Sequence, residues 1–157
     1  MRCALPVLAV LLLAGCGGDQ TDPGGGPDLR AAYVADATKV CQAAKTESDG
    51  LMTPTTAEGF PPFVERSVAL VTGAQRELSA LTPPPADAEQ LRSKVLDPFA
   101  ALADRATAYG AQVKAAGTDQ ATLLPLLTQA PTAEGIDLAY LREYGLGVCA
   151  DVLGSRN

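Results

Sequence analysis

The chain of 157 residues contains no histidine and no tryptophan, and only 4% of its residues are aromatic. Without histidine it cannot form a Ser-His-Asp or Cys-His catalytic set, and it offers no imidazole ligand for zinc, copper or haem. The glutamate-plus-histidine di-iron site of helical bundles is excluded for the same reason. The sequence therefore predicts no metal site built on histidine.

Basic residues are also scarce, because 12 Lys and Arg stand against 18 Asp and Glu, which gives a net charge of −6. An acidic chain without a basic cluster argues against nucleic acid as a partner. The glycines at 24–26 follow no strand, so they match neither a phosphate-binding loop nor a dinucleotide fingerprint. We expect no cofactor and no nucleic-acid partner.

Carboxylates are the remaining groups with acid–base chemistry. A catalytic pair would need two of them facing one substrate, whereas their spacing here is typical of solvated helix faces and caps. We therefore predict no catalytic residues and no enzyme activity. The carboxylates considered are Asp97, Asp104, Glu134, Asp137 and Glu143.

The four tyrosines are the main amphipathic side chains. Their rings can pack at the edge of the core with the hydroxyl in water, or they can line a cleft for a small apolar ligand or a peptide. Both interpretations stay open from the sequence. The candidate ligand-lining residues are Tyr33, Tyr109, Tyr140 and Tyr144.

A short apolar run at residues 4–14 ends in the sequence Leu13-Ala14-Gly15-Cys16. Eleven helical residues rise about 1.5 Å each, which is too short for a hydrocarbon core of roughly 30 Å. The pattern resembles a bacterial lipobox. It predicts a signal peptide at 1–15, a lipidated Cys16 with a glycine-rich tether at 16–27, and a folded domain at 28–157.

Lipidation of Cys16 would fix the location of the chain. A diacylglyceryl group with palmitate-type chains holds a protein stably on a membrane, whereas one acyl chain holds it only marginally. We expect the domain on the extracytoplasmic face of the cell membrane, anchored through the lipid on Cys16. An ordinary secretory signal with a chance cysteine is the alternative.

Of the four cysteines, Cys3 would leave with the signal peptide and Cys16 would carry the lipid. Cys41 and Cys149 remain, and outside the membrane a disulfide between them is chemically permitted. Two separate buried thiols are the alternative. A disulfide would close a loop of about 109 residues, which favours a large entropic stabilisation.

Helical periodicity dominates residues 28–157, and no segment alternates like a strand. We predict helices over about 28–49 and 62–81, then a long helix ending at Gly117 that Asp87 and Gln90 begin with a capping box. Pro98 should kink that helix near Val95–Asp97. Its core-facing residues step by three and four: Leu91, Val95, Phe99, Leu102, Ala106, Tyr109 and Val113.

The C-terminal part predicts a fourth, broken helix. Thr118 or Asp119 can begin it, Pro131 breaks it, and a last piece covers about 132–144 with Ile136, Ala139, Tyr140 and Leu141 facing inward. Gly145 supplies a left-handed cap, and 148–153 is expected to be a terminal turn. The predicted fold is all-α: an antiparallel up-and-down bundle of four main helices, the last one broken, with its ends tied by one disulfide.

Three segments resemble a family of small helical actinobacterial lipoproteins with a lipobox signal peptide and a cysteine pair. They are the helix around Cys41, Leu78–Pro85 (LSALTPPP) and Tyr144–Ala150 (YGLGVCA). The resemblance spans residues 28–150. Since the family has no established activity, the resemblance implies a fold and a location and no catalytic residues.

Two functions are compatible with these observations. The first is a membrane-anchored, non-enzymatic interaction module of the cell envelope, with an envelope protein as partner. The second is a helical bundle that binds a small ligand or a lipid, in space that the Pro98 kink and the tyrosines would provide.

Overall fold

The computed structural model describes residues 27–155, and the predicted signal peptide, Cys16 and the tether up to residue 26 lie outside them. All regular secondary structure in the described part is helical. The helices are α1 (Pro27–Asp49), α2 (Phe60–Ala80), α3 (Ala88–Leu91), α4 (Asp97–Ala116), α5 (Gln120–Leu127), α6 (Leu138–Tyr144) and α7 (Gly147–Gly154), with a 3-10 turn at Ala57–Gly59 and a π-helical turn at Arg92–Leu96.

Helix α2 lies at the centre of the packing, because it contacts α1 on one side and α4 on the other. Helix α7 packs on α1 and on α6, and α5 packs on α4. The all-α fold class is confirmed. So is the predicted seam from α3 into α4, since its seven apolar residues, from Leu91 to Val113, are all buried.

The predicted kink before Pro98 is a π-helical turn. The Asp97 N–H donates to the Arg92 carbonyl, five residues back instead of four. Because Pro98 has no N–H, the Lys94 carbonyl lacks its ordinary helical donor. The Asp137 N–H donates to this carbonyl at 3.0 Å. The segment before α6 therefore fills the gap that the proline makes, and α3, the π turn and α4 continue as one helical stretch.

The C-terminal prediction was wrong in three places. Residues 128–137 are not helical, and α6 begins only at Leu138, because the Asp137 carboxylate caps it by accepting from the Tyr140 N–H at 2.8 Å. Ala139 is exposed, not inward. The expected terminal turn is helix α7, whose Cys149 and Ala150 are buried. The segment 119–144 is thus two helices, α5 and α6, with a connection between them.

One predicted cap also differs. The backbone of Asp87 begins α3, but its side chain makes no capping hydrogen bond. The Tyr144 hydroxyl donates to the Asp87 carboxylate at 2.7 Å instead, across 57 residues of sequence. A long-range contact has replaced the local capping box.

Cys41 on α1 and Cys149 on α7 are joined in a disulfide, with their Cα atoms 5.1 Å apart. The turn before α7 sets this geometry. Gly145 has φ +101°, and the Leu146 N–H donates to the Leu141 carbonyl at 2.8 Å. This is the predicted left-handed cap, in a Schellman pattern. It reverses the chain so that Cys149 meets α1.

The apolar core of the described part consists of two clusters. The larger one surrounds the disulfide and includes Leu91, Phe99 and Leu141. The smaller one is built around Val64, Tyr109, Val113 and Leu123, with Phe60 and Phe63 packed against it.

Candidate functional site

A cavity of about 480 Å³ lies between α1, α2 and α4. Its lining includes residues of both core clusters, such as Leu102 from the larger and Val64 from the smaller. The cavity therefore lies between the two core clusters. Helices α2 and α4 supply the largest share of the wall through apolar and aromatic residues: Phe60, Phe63, Val64, Val68, Leu70, Val71, Ala74, Phe99, Leu102, Ala106 and Tyr109.

The remaining walls come from short segments. Leu51 and Thr53 belong to the connection after α1, and Leu127 ends α5. Ala130, Pro131 and Ala133 belong to the non-helical connection between α5 and α6. This connection is non-helical up to Asp137, which caps α6. The sequence predicted helix over part of this segment, and the segment instead supplies one side of the cavity.

Helix α7 contributes Val152 and Leu153 to the lining, and its C-cap residue Ser155 also lines the cavity. The disulfide through Cys149 holds this helix on α1. The disulfide therefore holds in place both the C-terminal helix and the part of the cavity wall that this helix forms.

Among residues 27–155, no charged side chain lines the cavity. Its polar side chains carry hydroxyl groups: Ser48, Thr53, Ser67, Tyr109 and Ser155. Among them, the Oγ of Ser67 is buried and has no hydrogen-bond partner within residues 27–155. A buried hydroxyl without a partner costs free energy, because it has given up its hydrogen bonds to water. An uncharged ligand with one polar group fits this surface.

The structure divides the four tyrosines between two places. Tyr109 lies in the cavity wall, whereas Tyr33, Tyr140 and Tyr144 do not line it and pack together where α1 meets α6. The structure therefore does not bring the four tyrosines together in one cleft. Sequence spacing placed Tyr109 and Tyr140 on inward helix faces. It did not indicate that Tyr33 and Tyr144 are buried as well, both in the larger core cluster.

The tyrosine cluster, Tyr33, Tyr140 and Tyr144, is held by contacts within the chain. The Tyr144 ring lies edge-on to Tyr33, with centroids 6.3 Å apart, and stacks on Tyr140 at 5.6 Å. The Arg30 guanidinium lies 4.2 Å from the Tyr144 ring centre, and the Lys94 ammonium lies 4.6 Å from that of Tyr140. These contacts join α1, the π turn and α6.

The environment of each tyrosine disfavours its phenolate. Burial raises the pKa of Tyr33, Tyr109 and Tyr140 above the ordinary value of 10.0. Burial also raises the pKa of Tyr144, and its hydrogen bond to Asp87 raises it further. The hydroxyls of the tyrosine cluster therefore stay protonated at neutral pH and act as hydrogen-bond donors.

The five carboxylates considered for acid–base chemistry are not brought together as a site. Asp137 caps α6 and lies 3.6 Å from the Lys94 ammonium, while the other four are exposed. Within the described range no three or more Asp, Glu, Cys or His side chains are grouped as metal ligands would be.

Sequence reasoning missed Ser67 and the cavity itself. The available signal was weak, since Ser67 lies one helical turn after Phe63 and Val64 on the apolar side of α2. Phe60 and Phe63, which pack against the smaller core cluster, also border the cavity.

The family resemblance rests on three sequence segments and stays a prediction. Across the described helices, none has both the length and the apolar character needed to cross a membrane. No protein-family model, curated protein or solved structure matches the chain.

Proposed function

We propose that this chain is a non-enzymatic binding protein that holds a small, uncharged, largely apolar ligand in the cavity between α1, α2 and α4. The observation that carries the proposal is the cavity lining, which is largely apolar, includes no charged side chain from residues 27–155, and contains Ser67 with its unpartnered hydroxyl. Burying an ionised group there without a partner would be costly, so a charged ligand is disfavoured.

The size of the cavity suits such a ligand. Its volume of about 480 Å³ falls within the range of roughly 300–1,000 Å³ that is typical of small-molecule sites. Each methylene group buried in it contributes about 0.8 kcal/mol. In a series of straight-chain alcohols, affinity should therefore rise about fourfold for each added methylene until the cavity is full.

The location we propose is the extracytoplasmic face of the cell membrane, with the chain anchored by a lipid on Cys16. The disulfide between Cys41 and Cys149 supports a compartment outside the reducing cytosol. Metabolic labelling with a palmitate analogue should mark the parent chain, and Cys16→Ser should abolish the label. Equal labelling of both chains would contradict the anchor.

For the arrangement of the helices we propose the up-and-down antiparallel bundle. Packing of α1 on α2 and of α2 on α4 supports it, since consecutive long helices with short connections run in opposite directions. Helix α7, held on α1 by the disulfide, takes the place of the last piece of the fourth helix.

Two leucine substitutions on α4 test the binding function. Ala106→Leu adds apolar atoms at a buried position in the cavity wall, and Ala101→Leu adds the same atoms at an exposed position of the same helix. Calorimetric titration with a long-chain primary alcohol should show affinity lowered at least tenfold by Ala106→Leu and unchanged by Ala101→Leu. The matching fatty acid, titrated in its ionised form, should bind far more weakly than the alcohol.

Two results would contradict the binding proposal. An Ala106→Leu chain that melts cooperatively and binds the alcohol as the parent does would place the ligand elsewhere. Preference for the ionised fatty acid would refute the uncharged-ligand assignment.

The second proposal is the envelope interaction module. Large apolar side chains exposed on the surface, such as those of Met52 and Leu124, favour it, because such patches mark contact surfaces. Crosslinking in intact cells should then enrich a specific envelope protein over a control that carries only the anchor and residues 16–27. Enrichment equal to that control would count against this function.

A further inference from the structure

Few large apolar side chains are strongly exposed in the described part of the chain. They are four: Leu29, Met52, Leu124 and Leu127. Three of them lie in the wall of the cavity or next to a residue that does. Leu29 is the exception, because about 22 Å of helix α1 separates it from Ala44, the first cavity residue on that helix. We call Met52, Leu124 and Leu127 the apolar rim.

The position of each rim residue follows from its neighbours. Leu127 is 46% exposed and itself lines the cavity. Leu124 is 62% exposed and lies one turn earlier on α5, on the same face. Met52 is 89% exposed and lies between Leu51 and Thr53, which both line the cavity. Leu127 thus belongs both to the cavity lining and to the outer surface, and Met52 and Leu124 are exposed close to lining residues.

We propose that the apolar rim inserts into a bilayer surface and that the cavity takes up an uncharged long-chain lipid directly from it. The inference rests on the proposed binding function and names both the class of ligand and its source. A ligand that matches an apolar, uncharged cavity is poorly soluble in water, so its free concentration in water is low. An apolar rim at the cavity allows it to pass from lipid to protein without crossing water.

The net negative charge of the chain indicates that its contact with a bilayer is apolar and not electrostatic. The chain has a net charge of −6, so an anionic lipid surface repels it. Docking by the rim should therefore be strongest on neutral phosphatidylcholine and nearly independent of salt. Added phosphatidylglycerol should weaken it, which is the reverse of the behaviour of a basic membrane-binding surface.

The test uses the fragment 27–157, which contains both core clusters, the disulfide and every described helix. Phosphatidylcholine vesicles carry a pyrene-labelled long-chain alcohol as the probe. Sedimentation with the vesicles measures docking, and the change in pyrene fluorescence measures transfer to the protein. Calorimetry with a short, water-soluble alcohol measures the cavity alone.

The variant is the double substitution Met52→Ser and Leu124→Ser, both outside the cavity lining, and Leu29→Ser is the matched control. The double variant should lower vesicle binding and the transfer rate at least tenfold while its affinity for the soluble alcohol changes less than twofold. Leu29→Ser should leave all three measurements unchanged.

Other outcomes overturn the proposal. Docking and transfer at the parent rate in the double variant would remove the rim from the process, and docking that requires phosphatidylglycerol would replace apolar insertion with another contact. A dimer of the parent that the double variant abolishes, without vesicle binding, would assign the rim to a second copy of the chain. Failure of the parent to bind the soluble alcohol would instead refute the binding function itself.

Discussion

Replacing Ser67 with alanine should stabilise the ligand-free protein and weaken ligand binding. The buried, unpartnered Oγ imposes a desolvation cost of about 1–3 kcal/mol. Alanine also has a better helix propensity than serine, by about 0.5 kcal/mol. The free energy of unfolding should therefore rise by about 1.5–3.5 kcal/mol.

The control is Ser79→Ala, because Ser79 lies on the same helix but is exposed. It should gain at most about 0.5 kcal/mol from propensity, because it also loses an exposed hydrogen bond that the Gln75 amide donates to the Ser79 hydroxyl. Urea denaturation of the ligand-free fragments 27–157 measures both values, and their difference isolates the cost of the buried hydroxyl.

Ligand binding should change in the opposite direction. If Ser67 bonds to the polar group of the ligand, its loss costs about 0.5–1.5 kcal/mol, which weakens a long-chain alcohol about two- to twelvefold. An alkane of equal length has no such bond to lose. A Ser67→Ala fragment that is no more stable than Ser79→Ala, or that binds the alcohol as tightly as the parent, would refute this role of the hydroxyl.

Three further predictions concern the parts that hold the cavity. Cys149→Ala should lower the free energy of unfolding by about 4–5 kcal/mol in the chain-entropy model, measured by urea denaturation; equal midpoints for parent and variant would contradict it. Stability should fall as the pH rises above 10, because the raised tyrosine pKa values mean that the unfolded chain loses its protons first. This contribution is complete below pH 10 and is lost as the pH rises through the folded-state values. Tyr144→Phe should flatten the alkaline decline, and an unchanged slope would show that Tyr144 does not cause it. Gly145→Ala should cost about 1–2 kcal/mol, since φ is +101° there, whereas Gly73→Ala, in open space inside α2, should gain about 0.5–1 kcal/mol; effects of equal sign in thermal melts would contradict the backbone argument.

Local patterns predicted the parts of the fold that local forces decide. The seam from Leu91 to Val113 and the left-handed Gly145 follow from helical period and backbone sterics, which sequence spacing expresses directly. The irregularity before Pro98 was predicted for the same reason, since a proline removes a backbone donor wherever it lies in a helix.

Contacts between residues far apart in the sequence determined the parts of the fold that were not predicted. The Asp87 carboxylate bonds to Tyr144 instead of capping its own helix, and the Asp137 backbone bonds to Lys94. Neither partner can be identified from spacing along the chain. The late start of α6 follows from Asp137, and with it comes the connection that lines one side of the cavity.

The candidate site was less accessible to sequence reasoning than the fold. Of the four tyrosines only Tyr109 reached the cavity, because the site lies where two core clusters fail to meet. A gap between clusters depends on how α2, α4 and α7 pack together. Hydrophobic periodicity marks the inward face of each helix but not the distance between the faces.

The most direct test of ligand binding is native mass spectrometry of the protein purified gently from its own membrane, beside the Ala106→Leu chain prepared in the same way. We predict an adduct whose released mass is that of an uncharged lipid on the parent, and its loss in Ala106→Leu. Bare protein in both samples, or an equal adduct on both, would contradict a ligand held in this cavity.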